Sequence, residues 1–227
     1  MGIISEDNLS FLSDLKRNNN REWFNENKDR YLKSQEEVIK LGDRMIELLS
    51  KNDEIETANG KKALYRIYRD IRFSKDKTPY KTQRSALFRR RGAERRGTYY
   101  LRIAPGGSFI GGGFYRPEKD DLLHLRKQIE VDAEPLRGVL NSRDFKNYYG
   151  ELLGDKLKTV PRGFSKEDPN IELLRHKSYY VIYRFSDAEI LSNSFPEHAA
   201  AGYEKIRPFF DVMTDYLTTD LNGVPLF

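Results

Sequence analysis

Between residues 65 and 81 the sequence sets six cations, Arg66, Arg69, Arg72, Lys75, Lys77 and Lys81, around four aromatic rings, Tyr65, Tyr68, Phe73 and Tyr80. Arginine offers a planar fork of donors that matches phosphate or carboxylate oxygens, and lysine a compact point charge. Rings between the cations offer faces on which a base or sugar can stack. The chemistry indicated is the binding of a phosphate-bearing ligand. Arg66, Arg69, Arg72, Lys75, Lys77, Tyr80 and Lys81 are the candidate anion-binding residues, with Asp70 and Asp76 orienting or pairing with them. The competing reading is a structural ion-pair network at a sheet edge, made of Arg66, Arg69, Asp70 and Arg72. Charge decides between them. From Lys61 to Arg102 fifteen Lys and Arg stand against three acids, a net +12, and the rest of the chain carries −7. Such an excess is more than Asp70 and Asp76 can neutralise, and it suits an anionic partner.

Other residues point to less. Arg89-Arg90-Arg91 with Arg95 and Arg96 reads as a solvated or disordered tip, the usual fate of a like-charge block, with a nucleic-acid arm as the alternative. The glycines of 106–113 match neither phosphate-loop spacing, so a tight hairpin with a bulge is expected there. Ser108 lacks the glycine two residues on that a nucleophile elbow needs, since position 110 is Ile. His124, His176 and His198 show no metal-ligand spacing, so no metal site and no cofactor are expected. The absence of cysteine excludes disulfides, thiolate nucleophiles and Cys-ligated metal centres. Set among cations, Asp70 and Asp76 should ionise easily, which suits orientation or ion holding better than general-acid work. No nucleophile–base pair stands out, and the catalytic residues, if the protein is an enzyme, are unknown.

The elements that must position this segment follow from periodicity. Asp7 is placed to cap a short helix through Leu9, Phe11, Leu12 and Leu15, with Lys16 and Arg17 in its last turn. Asn18-Asn19-Asn20 breaks it. Asn20 then caps a long helix carrying Trp23, Phe24, Tyr31, Val38, Leu41, Met45, Leu48 and Leu49 on one face. Trp23 and Phe24 are its core anchors and Glu22 suits the helix dipole, with Arg21 and Glu22 facing a cleft as the alternative. Residues 64–69 alternate like a half-buried strand, and 74–82, with Pro79, read as a loop. Residues 98–104 and 108–115 are strands joined by Pro105-Gly106-Gly107. Helical spacing returns over 118–152, a β-forming run spans 178–185, and Asp187 is placed to cap a short turn around Ile190. A last helix, kinked by Pro208, runs from about 196 to 217. The order predicts an α+β fold: a mostly antiparallel sheet packed with long N- and C-terminal helices and a helical insertion. One domain over 1–227 is expected, with a helical sub-lobe at 118–170.

The run Arg66-Ile67-Tyr68-Arg69-Asp70-Ile71-Arg72-Phe73-Ser74-Lys75-Asp76-Lys77-Thr78-Pro79-Tyr80-Lys81 resembles the signature of the family known as domain of unknown function 2461. Asn19-Asn20-Arg21-Glu22-Trp23-Phe24, the 105–117 stretch and Pro161-Arg162-Gly163-Phe164 agree with it in order. The resemblance implies a bacterial-type cytoplasmic protein. It supplies no activity, cofactor or catalytic residue.

With 227 residues, 12% aromatic content and no apolar run of membrane-spanning length, a globular protein is expected. The N-terminal residues show no basic stretch followed by an apolar one, so the expected location is the cytoplasm. The expected partners are nucleic acid or a phosphorylated small molecule, without membrane contact, and a homo-oligomer is compatible with the charge asymmetry. The function read from these residues is a binding module for nucleic acid or a nucleotide. The alternatives are an enzyme acting on a phosphorylated or anionic small molecule, and a scaffold docking an acidic protein surface.

Overall fold

A computed structural model describes residues 2–92 and 94–226. In chain order the elements are α1 (Glu6–Arg17), α2 (Arg21–Glu26), α3 (Lys28–Leu49), α4 (Gly60–Ala63), β1 (Arg84–Arg89), β2 (Thr98–Ile103), β3 (Ser108–Phe114), α5 (Lys119–Val131), α6 (Glu134–Asn141), α7 (Arg143–Tyr149), α8 (Ile171–Leu174), β4 (Tyr179–Phe185), α9 (Asp187–Leu191) and α10 (Phe195–Thr218). The four strands form one antiparallel sheet in the order β1-β2-β3-β4. The fold is α+β, as the element order predicts. Among the described residues no helix is long and apolar enough to cross a membrane.

Packing divides the chain into two compact units. The first comprises Met1–Arg89, Tyr100–Ile110 and Arg184–Ala201, and the second Arg90–Tyr99, Gly111–Tyr183 and Gly202–Phe227. The basic segment of the sequence is therefore shared, with residues 61–89 in the first unit and 90–99 in the second.

In the first unit, α1 buries Leu9, Phe11, Leu12 and Leu15 on one face. Its cap is Ser5, not Asp7. Ser5 is extended and its hydroxyl accepts from the Asn8 N–H, which leaves Glu6 and Asp7 in the first turn, where acids favour the positive end of the helix. Asn20 caps α2 as expected, accepting from the Trp23 N–H at 2.9 Å. The single long helix expected from there to Leu49 is interrupted at Asn27. That residue leaves the helical region (φ −103°, ψ 25°), and its Nδ2 donates to the Trp23 carbonyl at 2.9 Å. A side chain that competes for a backbone acceptor ends the short helix, and α3 starts afresh. Phe11, Leu12, Leu15, Phe24, Ile67 and Tyr80 make a buried cluster, with Trp23 and Tyr31 packed against it. Short α4 lies close against α3. A Cβ on Gly60 would stand 2.1 Å from the Ile39 carbonyl oxygen, so only glycine fits there.

In the second unit, α10 buries Tyr203, Ile206, Phe209, Phe210, Met213 and Leu217, the face its sequence spacing predicts, with Pro208 inside the helix. Tyr99 meets Tyr203 and Phe210, each at 5.0 Å between ring centroids. The run Gly111-Gly112-Gly113 admits close neighbours. A Cβ on Gly112 would come within 2.7 Å of the Phe210 ring, and one on Gly111 within 2.5 Å of the Val181 carbonyl oxygen. The turn before α9, in the first unit, is capped by Ser186 rather than Asp187. Ser186 and Glu189 form a reciprocal capping box, and the Asp187 carboxylate accepts instead from the Gly106 N–H at 2.9 Å.

Candidate functional site

The site belongs to the first unit and is built on two extended stretches, 64–69 and 79–86. They pair antiparallel through isolated bridges, Leu64 with Ala86 and Tyr68 with Tyr80, rather than as the strand expected at 64–69. The register explains why. The Tyr65 N–H reaches the Ser85 carbonyl at 2.9 Å, while the Lys81 N–H reaches the Ile67 carbonyl at 2.7 Å. Residues 82–84 therefore face Arg66 alone. Such a bulge breaks the ladder and re-aims the side chains around it. Ile67 points into the core, while Tyr65, Arg66 and Tyr68 stay exposed.

Beyond Arg69 and Pro79, whose N–H and carbonyl pair at 2.9 Å, the chain forms a loop laced by its own charges. The Arg69 guanidinium, three-quarters buried, pairs with Asp76 and donates to the Thr78 hydroxyl. Asp76 also accepts from the Thr78 N–H at 2.9 Å. Its carboxyl pKa falls to about 2, first through that N–H, then through Arg69 and the Thr78 hydroxyl. Arg72 grips Asp70 with Nε at 3.0 Å and Nη2 at 2.7 Å, and the Asp70 pKa is lowered by that side chain first, then by the Arg72 N–H. Lys77 donates to the Ile71 carbonyl at 3.0 Å. Lys75 is exposed and forms no ion pair among the described residues. At the tip Phe73 is 97% exposed, with the Arg72 guanidinium 5.9 Å from its ring centroid. The loop thus neutralises Arg69 and Arg72 internally, and Arg66, which forms no ion pair among the described residues, acts on Asp70 only through its charge.

Tyr80 is 4% exposed and stacks on Phe24 with centroids 3.9 Å apart, so its ring is core as much as surface. Burial raises the pKa of its hydroxyl. Its edge joins a pocket of about 370 Å³ lined by Arg21, Asn25, Tyr68, Arg69, Ile71, Pro79 and Tyr80. Arg21 is exposed, makes no ion pair among the described residues, and lies close enough to Tyr80 for its charge to act on that hydroxyl. The pocket therefore has aromatic walls and, among the described residues, a guanidinium that no carboxylate holds.

On the other side of the bulge stand Arg66, Lys81 and Arg84. The Lys81 ammonium donates to the Arg66 carbonyl at 3.0 Å and sits 5.3 Å from the centroid of Tyr65. Its pKa is lowered by burial first, then by Arg66 and Arg84. None of the three cations pairs with a carboxylate among the described residues. Of the residues singled out from sequence, then, Arg66 and Lys81 meet at the bulge, Arg69 and Tyr80 line the pocket, and Asp70, Arg72, Lys75, Asp76 and Lys77 belong to the loop beyond. Arg84, Gln35, Tyr31 and Asn25 were not singled out. The one sequence signal for Arg84 is a cation heading the apolar run Ser85-Ala86-Leu87-Phe88.

The second basic cluster is solvated only in part: Arg89 and Arg91 are exposed, while Arg90, Arg95 and Arg96 are not. Arg90 is buried, pairs with Asp211 at 3.2 Å and lies 5.4 Å from the Phe210 centroid. Arg96 pairs with Asp121, and Arg95 with Glu94 at 3.0 Å. The acids that neutralise Arg90 and Arg96 come from distant parts of the sequence, which composition within the run could not reveal. His124 and His176 serve structure: His124 Nε2 lies 2.8 Å from the Thr219 carbonyl, and buried His176 has Nδ1 3.2 Å from that of Ser178. Among the described residues no group of three His, Cys, Asp or Glu is arranged to hold a metal ion.

A family model described as conserved hypothetical protein (DUF2461) matches residues 7–212. The chain belongs to the DUF2461 family. Both motif stretches that build the pocket, Asn19 to Phe24 and Arg66 to Lys81, lie inside the matched range, and so does Arg84. No curated protein and no solved structure matches the chain.

Proposed function

We propose that this DUF2461 member is a binding module for a phosphate-bearing ligand of nucleotide size, received at the Tyr68–Tyr80 pocket and the cations around it. The observation that carries the reading is the pocket itself: about 370 Å³, walled by two tyrosines, with the Arg21 guanidinium in no ion pair among the described residues. Small-molecule sites typically enclose roughly 300–1,000 Å³, and one nucleotide is within that range. Tyr68, half exposed, offers a face for a base, and Arg21 a fork for a phosphate. Arg66 and Lys81 add unneutralised charge. Concavity favours a nucleotide over a long nucleic-acid strand, which needs an open track. A cytoplasmic setting, rich in such ligands, goes with the reading.

The same confinement favours a second reading, an enzyme acting on a phosphorylated small molecule. The acids that reading would use, Asp70 and Asp76, are both engaged by arginine, and their pKa values are lowered. Binding is the better supported of the two.

Calorimetric titration with adenosine monophosphate tests the proposal. Binding that falls at least about tenfold in Arg21→Ala and in Tyr68→Ala, and weakens as salt rises, supports it. Binding that neither substitution alters would move the ligand elsewhere.

A further inference from the structure

Arg84 is 2% exposed, and among the described residues it has no carboxylate partner. Its Nε and Nη1 have no hydrogen-bond partner at all, and Nη2 only reaches Gln35 Oε1 at the long distance of 3.5 Å. That oxygen already accepts from the Tyr31 hydroxyl. The guanidinium lies 5.5 Å from the Tyr31 centroid, and the Tyr31 side chain partly opposes the lowering of the Arg84 pKa by burial, but Nε and Nη1 stay without a partner among the described residues. A buried lysine can shed its proton, but arginine stays charged in proteins, so deprotonation cannot relieve this burial. A lone buried charge is among the most unfavourable arrangements a fold can hold, and unpaired buried donors add to it. Lys81 stands close enough to feel the charges of both Arg84 and Arg66, so a second cation rather than an acid neighbours Arg84. The bulge at 82–84 produces this crowding, since it brings Arg84 to the stretch where Arg66 and Lys81 meet.

We propose that Arg84, Lys81 and Gln35, across the bulge from Arg21, form a receptor for one compact oxyanion, a second anionic group beside the one that Arg21 takes. This deepens the reading above and rests on it for the ligand being a phosphate compound. Arg84 supplies the buried fork, Lys81 the second charge at its half-buried position, and the Gln35 amide a neutral donor. Exposed Arg66 draws the anion toward them. A water molecule could meet the unpaired donors but not the charge, so an anion is the occupant that answers both.

Thermal unfolding in inorganic phosphate or sulfate, against chloride at matched ionic strength, tests the receptor. Both oxyanions also stabilise proteins weakly by surface exclusion, and that effect grows linearly with concentration. A specific site instead saturates, reaching a shift of about 5–11 °C at a hundredfold excess over its dissociation constant. The expected result is a saturable rise in the wild type, absent in Arg84→Met, whose melting point without oxyanion equals or exceeds that of the wild type. Should Arg84→Met fail to fold, Lys81→Met, at a half-buried position, is expected to cut the saturable rise by at least half. A linear rise, the same in wild type and the folded variants, overturns the receptor. If adenosine monophosphate still binds in an Arg21-dependent way while the oxyanion rise is only linear, the receptor falls and the pocket reading stands. If neither the nucleotide nor the oxyanions bind, both fall.

Discussion

Asn19 holds the Tyr80 backbone from both sides: its Oδ1 accepts from the Tyr80 N–H at 3.0 Å and its Nδ2 donates to the Tyr80 carbonyl at 2.9 Å. The two residues lie 61 positions apart, and the contact ties the break between α1 and α2 to the floor of the pocket. One amide side chain thus stands in for a neighbouring strand along 79–81.

Replacing Asn19 with Ala leaves both Tyr80 backbone groups without partners. The loss should be about 1–3 kcal/mol of stability, the range for unsatisfied buried groups. Asn19→Asp should lose nearly as much, because a carboxylate accepts from the N–H but cannot donate to the carbonyl. Chemical denaturation of the three proteins measures this.

The loop from 70 to 78 separates two arginines that look alike in sequence. Arg72 is 77% exposed in its pair with Asp70, so Arg72→Ala should change stability by no more than about 0.5 kcal/mol. Arg69 is three-quarters buried and holds both Asp76 and Thr78, so Arg69→Ala should lower the melting point and speed proteolytic cleavage within 70–78. Equal effects of the two substitutions would show that the Arg69 network does not order the loop.

Asp76 gives the loop a pH dependence of definite sign. Its folded pKa, about 2, lies below the ordinary 3.8, so it contributes stability above about pH 4 that is lost as pH falls toward 2. Asp76→Asn should therefore melt below the wild type at neutral pH, with the gap closing over that acid window. A gap that persists unchanged at pH 2 would place its origin in packing rather than charge.

Lys81 should set an alkaline limit on anion binding. Burial and two neighbouring cations hold its pKa below the ordinary 10.5. The charged ammonium is the form that receives an anion, so affinity falls as pH rises through that lowered pKa. Sulfate, whose charge is constant over the range, is the suitable probe. Its affinity should decline at a lower pH than an ordinary lysine would give, and Lys81→Met should abolish that step.

The sequence pattern made the longer helices and the 98–115 hairpin readable, because a face such as Leu9, Phe11, Leu12 and Leu15 is set by local spacing, whereas α4, α8 and β1 were not read from it. Asn20 was equally legible, since a cap acts within three residues. What could not be read depended on partners far along the chain. Arg90 and Arg96 looked like a solvated block, yet Asp211 and Asp121 neutralise them. The break at Asn27 follows from one side chain taking a helix carbonyl, which periodicity ignores. The bulge that turns residues 64–69 from a strand into bridged chain is a matter of register, invisible in either stretch alone. The cations of 66–81 were correctly marked as an unusual concentration of charge. Their division into an internally paired loop and an unpaired group at the bulge needed coordinates, and so did the burial of Arg84.

The most direct test of the account is a nuclear magnetic resonance titration of amide signals with adenosine monophosphate. The account predicts saturable shifts confined to residues 19–25, 64–71 and 78–85, with adenosine, which lacks the phosphate, moving them little. Absence of shifts at millimolar nucleotide, or shifts confined to 89–97, would contradict it.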